Sequence, residues 1–246
     1  LLVLAVNRTA PLHSALGSAA MHEMIRQIGD RLTAYFAGDK HIAHIGEYDF
    51  CVLTEDLNND NDALEMAREL QLEFATPLFL EERQLNITCS IGVARSDVRQ
   101  ENAEDWLREA QTACVSASKD GGGTERMFHL ALASEALSSW QLSEQLKQAI
   151  SGNTIDAWLQ PIVNMETKQP IGFEALARWE ISPGNFIPPN QFIPIAEEYG
   201  LIEELGNIML RKSCRLLSEC HKMSDAFKDL YVSVNVASSQ LEKSSF

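Results

Sequence analysis

The sequence lacks several features that mark well-known classes of protein. It has no long uninterrupted apolar run, so neither a membrane span nor direct membrane contact by this segment is expected. Its opening stretch, LLVLAV, is too short for a signal peptide and has no basic flank or cleavage site. We expect this stretch to form a buried strand, so that the chain begins inside a domain.

Basic runs are also absent, and the formal net charge is −15 at pH 7. Such a surface would repel a phosphate polymer unless one face were locally basic, so no binding to a nucleic-acid polymer is expected. The 5 cysteines are odd in number and show no CxxC spacing. This pattern predicts reduced thiols rather than a zinc site or a disulfide framework, and it favours a cytoplasmic location. An N-terminal sensor or membrane anchor could still precede Leu1 in the full-length protein.

The chain has 246 residues, and 45% of them are hydrophobic. This composition is typical of a soluble globular protein, and this length is enough for two domains or one α/β barrel. The first half alternates strands and helices in the irregular order of an α+β domain. We predict its elements as a strand at 1–6, a helix at 18–37, a β-hairpin at 41–55, a helix at 61–77, a strand at 85–95, a helix at 103–120 and a short strand at 125–130.

The second half has a different organisation. A helix at 134–150 is predicted as a connector, followed by strands in DAWLQPIVNM and QPIGFEALARWE, a Pro-rich loop, a helix pair at 190–223 and a strand in LYVSVNVASSQ. This order is typical of the opening of a β/α barrel, in which functional side chains lie at the C-terminal ends of the strands. We therefore predict domains at 1–130 and 151–246, joined by a helical linker at 131–150.

The stretches LLVLAVN, HIGEYDFCVL, LNITCSIGVAR and AEDWLREAQTACVSASKDGGGTERM occur in this order and resemble the GGDEF domains of the diguanylate cyclase family. The resemblance covers about residues 1–130 and implies a palm-like, nucleotidyl cyclase-type α+β fold. Active members join two GTP molecules into cyclic di-GMP, with carboxylates holding two divalent ions and a Gly-Gly turn against the phosphates.

At the positions that carry this chemistry, the sequence departs from the family. Ala5 and Asn7 stand where the family has acidic metal ligands, and His13 and His22 stand where it recognises guanine. The stretch YFAGDK, ahead of the signature, has no Arg-x-x-Asp pair. The signature itself is degenerate: Gly46 and Phe50 are kept, Asp49 is an acceptable acid, Glu47 replaces the second Gly and Tyr48 replaces the central acid. We expect a catalytically silent domain that regulates or dimerises, with GTP binding the less favoured role.

From about residue 138, the stretches LQPIVNMETKQPIGFEALARWE, FIPPNQFIPIAEEYGLIEELGNIML and YVSVNVASSQL resemble the N-terminal part of EAL domains, the cyclic di-GMP phosphodiesterase family. The resemblance implies a TIM-like α/β barrel, incomplete in this chain, that hydrolyses cyclic di-GMP to pGpG with Mg²⁺ or Mn²⁺. It assigns Glu174 and Asn235 as metal ligands. It assigns the substrate contacts to Gln160, Leu176, Arg178 and Pro194.

Without the resemblance, these residues have plainer interpretations. Glu174 could be a strand-end surface residue or could form an ion pair with Arg178, and Asn235 could cap the following helix. Trp158 and Trp179 are expected in the core. The acidic side chains of the helix pair are expected on a solvated face, namely Glu197, Glu198, Glu203 and Glu204.

Three functions stay open at this point. The first is a cyclic di-GMP phosphodiesterase, an activity expected of the full-length protein and not of this segment alone, because no catalytic set is complete in the segment. The second is a non-catalytic cyclic di-GMP receptor in which both domains are degenerate. The third is a structural dimerisation module, and a homodimer is expected in each case.

Overall fold

The computed structural model describes residues 1–36, 41–55, 57, 59–80, 83–96, 102–119 and 122–241. The chain divides into two compact units, Leu1–Ala136 and Leu137–Phe246. This division falls within the helix that was predicted as the linker, so the single-residue boundaries at 130 and 150 stay a prediction.

The first unit has the predicted α+β order. Its elements are β1 (Leu2–Val6), α1 (Thr9–Tyr35), β2 (His41–His44), β3 (Asp49–Leu53), α2 (Asp60–Ala75), β4 (Leu78–Leu80), β5 (Arg83–Leu85), β6 (Cys89–Val93), α3 (Ala103–Lys119) and β7 (Glu125–Met127). Helix α1 begins earlier than predicted because helical structure continues on both sides of Gly17, which breaks the periodicity with a φ of 75°. The predicted strand at 85–95 was too long, since β5 ends at Leu85 and pairs with β4 in a separate hairpin.

The main sheet of this unit has the strand order β2-β3-β1-β6-β7. Strand β1 is antiparallel to both β3 and β6, and β7 runs parallel to β6. Alternation along β1 places Leu2 and Leu4 in one core with residues of α1 and α2, and Val3 in a second core with residues of α3. The sheet is therefore covered by helices on both faces.

Helix α3 approaches β6 unusually closely. A Cβ atom added at Gly92 would lie 2.0 Å from the carbonyl oxygen of Ala110 and 2.2 Å from the backbone nitrogen of Cys114. The buried residues of α3 are small, which permits this approach: Ala110, Ala113, Cys114 and Ala117. The Cys114 thiol donates a 3.2 Å hydrogen bond to the carbonyl oxygen of Ser90.

All five cysteines are free thiols, as predicted. Cys89 and Cys114 are buried, and desolvation raises the pKa of Cys89 to about 12 and the pKa of Cys114 to about 11. Cys214, in the second unit, is exposed.

The described residues of the second unit form one sheet and the helices packed on it. Its elements are α4 (Leu130–Ser151, which begins in the first unit), β8 (Ile155–Val163), β9 (Pro170–Ser182), β10 (Asn185–Ile187), α5 (Pro189–Glu198), α6 (Ile202–Met223), a 3-10 turn (Asp225–Phe227), β11 (Tyr231–Val234) and α7 (Ser238–Leu241). Strand β9 pairs with β8 along one edge, antiparallel. Along its other edge, β9 pairs with β11 in parallel and then with β10 in antiparallel fashion.

The two faces of this sheet differ in chemistry. One face carries Ile155, Ala175 and Trp179, which share a buried core with Phe192 of α5 and Leu205 of α6. The opposite face carries the alternate residues of the same strands, and among these are Gln160, Glu174 and Arg178, together with the half-buried Leu176. Strands β8, β9 and β11, with helices on one side, thus form the expected incomplete part of a β/α barrel. The predicted site lies on the opposite, open face of the sheet.

Candidate functional site

Three of the predicted site residues meet across neighbouring strands. Gln160 of β8 lies directly opposite Glu174 of β9. Ser233 of β11 lies opposite Glu174 on the other edge, and Asn235 follows immediately after β11. The Asn235 side-chain amide donates a 2.8 Å hydrogen bond to Oε1 of Glu174. The structure therefore brings an acid and two amides to one level of the open face.

The expected position of Glu174 at a strand end is wrong. Strand β9 is 13 residues long and continues past Glu174 to Ser182, because its last residues pair with β10. Glu174 and Arg178 also form no ion pair with each other in the described part of the chain, so this alternative is wrong too. Asn235, in contrast, follows its strand as predicted.

The donor set at this point suits a hard divalent cation. Mg²⁺ prefers carboxylate, amide and water oxygens at about 2.1 Å, so neighbouring ligands of one octahedral ion lie about 3 Å apart. The amide of Asn235 lies 2.8 Å from the Glu174 carboxylate, and a half-turn of the amide exchanges its nitrogen and oxygen. Glu174 and Asn235 can thus supply two adjacent oxygen ligands. Among the residues that the structure describes, no three His, Cys, Asp or Glu side chains are grouped around a common point.

Leu176 and Arg178 lie further along β9 on the same face. Leu176 is directly opposite Trp158 of β8, and the Arg178 guanidinium lies over the Trp158 ring, 5.5 Å from its centroid. The prediction that Trp158 belongs to the core is wrong, since 54% of its surface is exposed, whereas Trp179 is buried as predicted. Alternation along β8 explains the difference, because Trp158 shares a face with Gln160.

A pocket of about 250 Å³ adjoins the site between β9, β11 and the helices. Leu176 and Asn235 line it, and so does Glu197, while Pro194 does not. Pro194 lies exposed within α5. Of the acidic side chains predicted on a solvated face, Glu197, Glu198 and Glu204 are exposed, and Glu203 is half-buried.

Sequence reasoning missed Gln240, which is 3% exposed and lines the same pocket. Its side-chain oxygen accepts a 3.0 Å hydrogen bond from the backbone nitrogen of Ala237, and its own backbone nitrogen donates to the Ala237 carbonyl at 3.0 Å. This reciprocal pair closes the loop that follows Asn235. The signal was present in the sequence, because a Gln three residues after the N-cap position, here Ala237, is half of a capping box.

In the first unit, the degenerate signature forms the predicted hairpin turn. The backbone nitrogen of Ile45 donates to the Asp49 carbonyl at 2.9 Å, and Glu47 is exposed. Tyr48 is half-buried and packs against the core. Its pKa is raised mainly by desolvation and to a smaller extent by a hydrogen bond with Glu47. Desolvation also raises the pKa of Asp49. A Cβ added at Gly46 would lie 2.8 Å from the Asp49 carboxylate, so the Asp49 side chain would have to shift.

Asn7 occupies one of the two positions of the family's metal ligands, but it is held in a structural network. Its amide donates to Thr88 Oγ1 at 3.2 Å and accepts hydrogen bonds from Ser90 at 3.0 Å and Ser118 at 3.4 Å. Ala5, the other position, lies opposite Asp49. The two positions that correspond to guanine recognition, His13 and His22, are exposed on α1. Residues 37–40 of the stretch ahead of the signature lie outside the described residues.

Two family models match the chain. The model described as "Diguanylate cyclase, GGDEF domain" matches residues 1–124, and the model described as "EAL domain" matches residues 143–246. The described residues contain no helix whose length and hydropathy suit a membrane span.

Curated relatives match along most of the chain. The cyclic di-GMP phosphodiesterase NbdA of Pseudomonas aeruginosa is 26% identical over 234 residues, which are 95% of this chain and 30% of that protein. The oxygen sensor protein DosP of Escherichia coli is 28% identical over 193 residues, which are 76% of this chain and 24% of that protein. The chain thus spans less than a third of the length of these relatives.

Solved structures agree on the fold. The S helix-GGDEF-EAL structure of Vibrio cholerae LapD, bound to c-di-GMP, covers 98% of this chain and 55% of its own, with a TM-score of 0.51 and 16% identity. The GGDEF domain of YfiN (TpbB) from Pseudomonas aeruginosa covers 55% of this chain and 80% of its own, with a TM-score of 0.52 and 22% identity. With a GGDEF match over half of its length and an EAL match over most of the rest, the chain belongs to the GGDEF domain family and has the tandem GGDEF-EAL order of cyclic di-GMP signalling proteins.

Proposed function

We propose that the full-length protein is a cyclic di-GMP phosphodiesterase whose EAL domain carries the activity. The observation that supports this most directly is the convergence of Gln160, Glu174 and Asn235 on one face, with the Asn235 amide 2.8 Å from the Glu174 carboxylate. The naming of the relative NbdA as a cyclic di-GMP phosphodiesterase is consistent with it.

In this proposal, the side chains of the chain itself bind and orient the substrate. Arg178 grips a phosphate of cyclic di-GMP through its N–H groups, and Gln160 contacts the substrate from the neighbouring strand. Leu176 supplies an apolar contact for a guanine, and Pro194 belongs to the rim that closes over it. Glu174 and Asn235 would hold Mg²⁺ or Mn²⁺, and the bound ion would supply an activated water for hydrolysis of one phosphodiester bond of cyclic di-GMP to give pGpG.

We propose that the GGDEF-like domain makes no cyclic di-GMP and acts in regulation or dimerisation. Support comes from Ala5, which has no ligand atom, and from Asn7, whose amide is engaged by Thr88, Ser90 and Ser118. Tyr48 packs into the core where the family places an acid. A homodimer and a cytoplasmic location for this part of the protein belong to the same proposal, and analytical ultracentrifugation tests the dimer.

The test uses the purified full-length protein with cyclic di-GMP and Mg²⁺ or Mn²⁺, with pGpG measured by chromatography. We expect pGpG from the wild type and a loss of at least about 100-fold in Glu174→Gln, since one anionic ligand is removed. Glu166→Gln is the matched control, because Glu166 is exposed in the β8–β9 turn. No cyclic di-GMP should form from GTP.

The absence of pGpG at saturating substrate would sink the phosphodiesterase proposal. Tight binding of cyclic di-GMP without hydrolysis would instead favour a non-catalytic receptor. If neither binding nor hydrolysis occurs, a structural dimerisation module becomes the better interpretation.

A further inference from the structure

Trp158 is an exposed aromatic side chain on the face that carries Gln160 and Glu174. It lies directly opposite Leu176 in the β8–β9 pair, and 54% of its surface is accessible. Its position is set by strand alternation and not by burial in the core. A role for its ring must therefore be sought among its contacts on this open face.

The ring lies between two neighbours. The Arg178 guanidinium carbon is 5.5 Å from the ring centroid, within the range of about 6 Å for a cation–π contact. The Phe186 ring of β10 meets Trp158 edge to face, with centroids 5.7 Å apart and planes at 72°. Phe186 thus limits the rotation of the Trp158 ring, and the ring in turn supports the guanidinium.

Arg178 has no carboxylate partner within the described residues, and its one hydrogen bond goes from Nη1 to the neighbouring Ala177 carbonyl at 3.2 Å. A cation–π contact places no oxygen atom against the guanidinium, so N–H groups of Arg178 stay available to other oxygen atoms. An ion pair would occupy those groups. The Trp158 ring therefore holds Arg178 in place without filling the groups that would bind a phosphate.

A carboxylate does stand opposite Arg178, on Asp156 of β8. It is engaged by Lys212 of α6, whose ammonium group lies 2.7 Å from the Asp156 carboxylate. The same ammonium donates to the carbonyl oxygens of Asn153 at 2.9 Å and Ile155 at 2.6 Å, so its position is fixed by three oxygens. Lys212 thus keeps the opposing carboxylate away from the arginine.

We propose that Trp158 is a positioning residue that presents the N–H edge of Arg178 to a phosphate of cyclic di-GMP, and that Lys212 preserves this arrangement by holding Asp156. The proposal rests on the proposed function, because it concerns the substrate of the same site. It adds two residues, Trp158 and Lys212, that act through Arg178.

The first test measures steady-state kinetics of the full-length protein with Mg²⁺. Trp158→Ala should raise KM for cyclic di-GMP about threefold to tenfold and leave kcat within about twofold, because a contact made equally in the bound and transition states is lost. Trp158→Phe should restore most of the affinity. Trp140→Ala is the matched control, since Trp140 on α4 is also 54% exposed, and it should match the wild type.

The second test separates positioning from folding. Lys212→Gln keeps a donor for the two carbonyl oxygens but removes the charge, so Asp156 should turn to Arg178 and KM should rise severalfold. Adding Asp156→Asn to Lys212→Gln should bring KM back towards the wild-type value. A general loss of packing would not be repaired by this second substitution.

Calorimetric titration of cyclic di-GMP with the metal chelated gives Kd for the same variants, so the inference can be judged without turnover. Unchanged KM and Kd in Trp158→Ala, or a Phe variant as weak as the Ala variant, would overturn the inference and leave the proposed function standing. So would a Lys212→Gln defect that Asp156→Asn does not repair. A wild type that neither binds nor hydrolyses cyclic di-GMP would overturn the proposed function and this inference with it.

Discussion

Gly92→Ala should be among the most damaging single-methyl changes in the first unit. The new Cβ would lie 2.0 Å from the Ala110 carbonyl oxygen and 2.2 Å from the Cys114 backbone nitrogen. Carbon atoms in contact normally stay about 3.5 Å from their neighbours, so α3 would have to retreat from β6 by more than about 1 Å. Both obstructing atoms belong to the backbone, and no side-chain rotamer can relieve the clash.

The size of the effect follows from this geometry. Overpacking usually costs about 1–3 kcal/mol, and a clash between two backbones belongs at the upper end of that range. We therefore expect the free energy of unfolding to fall by about 3 kcal/mol, a large part of the roughly 5–15 kcal/mol that stabilises a typical domain. Hydrogen exchange of the β6 and α3 amides as a function of urea measures this loss within the first unit.

Gly29→Ala is the matched control. Its Cβ would lie 3.7 Å from the Phe50 ring, an ordinary contact, and Gly29 is inside α1. Replacing Gly by Ala within a helix should stabilise by about 0.5–1 kcal/mol. The reasoning fails if Gly92→Ala stays within about 1 kcal/mol of the wild type, or if the two variants are equally destabilised.

Two further predictions concern the signature hairpin and the loop after Asn235. Desolvation raises the pKa of Asp49, so the folded state holds this proton more tightly, and stability should fall as pH rises from the ordinary Asp value through the folded pKa. Asp49→Asn should remove this loss of stability with rising pH and raise the melting temperature at neutral pH. The same dependence of melting temperature on pH in the wild type and the variant would contradict this prediction. Gly206→Ala would place a Cβ 2.1 Å from Nε2 of Gln240 and displace the amide that caps Ala237. We expect a lost hydrogen bond worth about 1 kcal/mol and a severalfold weaker apparent Mg²⁺ affinity of the phosphodiesterase, with Gln240→Ala behaving alike; unchanged metal dependence in both variants would argue against this role.

The order of helices and strands was predictable because apolar periodicity is strong in both halves of the chain. The start of α1 was not, since Gly17 interrupts the pattern although helical structure continues on both sides of it. The β4–β5 hairpin was missed because its strands, Leu78–Leu80 and Arg83–Leu85, are too short to show a clear alternation.

Within the site, the sequence identified some residues correctly and misplaced others. The family resemblance selected Glu174 and Asn235, and the structure places their side chains in contact. Trp158 was misjudged because its size suggests burial, although its place between Asp156 and Gln160 on an alternating strand predicts the open face. The contacts of Lys212 could not be predicted, because they join residues more than 50 positions apart in the sequence.

Chemical modification of the buried thiols of Cys89 and Cys114 would report how often the first unit opens. Electrophiles and oxidants attack the thiolate, and with pKa values of about 12 and about 11 these groups are almost entirely protonated at neutral pH. Their modification would require a transient separation of the sheet from its helices, so the labelling rate would report the free energy of that opening. Cys214 is exposed and needs no such event. Oxidants would therefore modify Cys214 first, and they would reach Cys89 and Cys114 only in molecules whose first unit had opened.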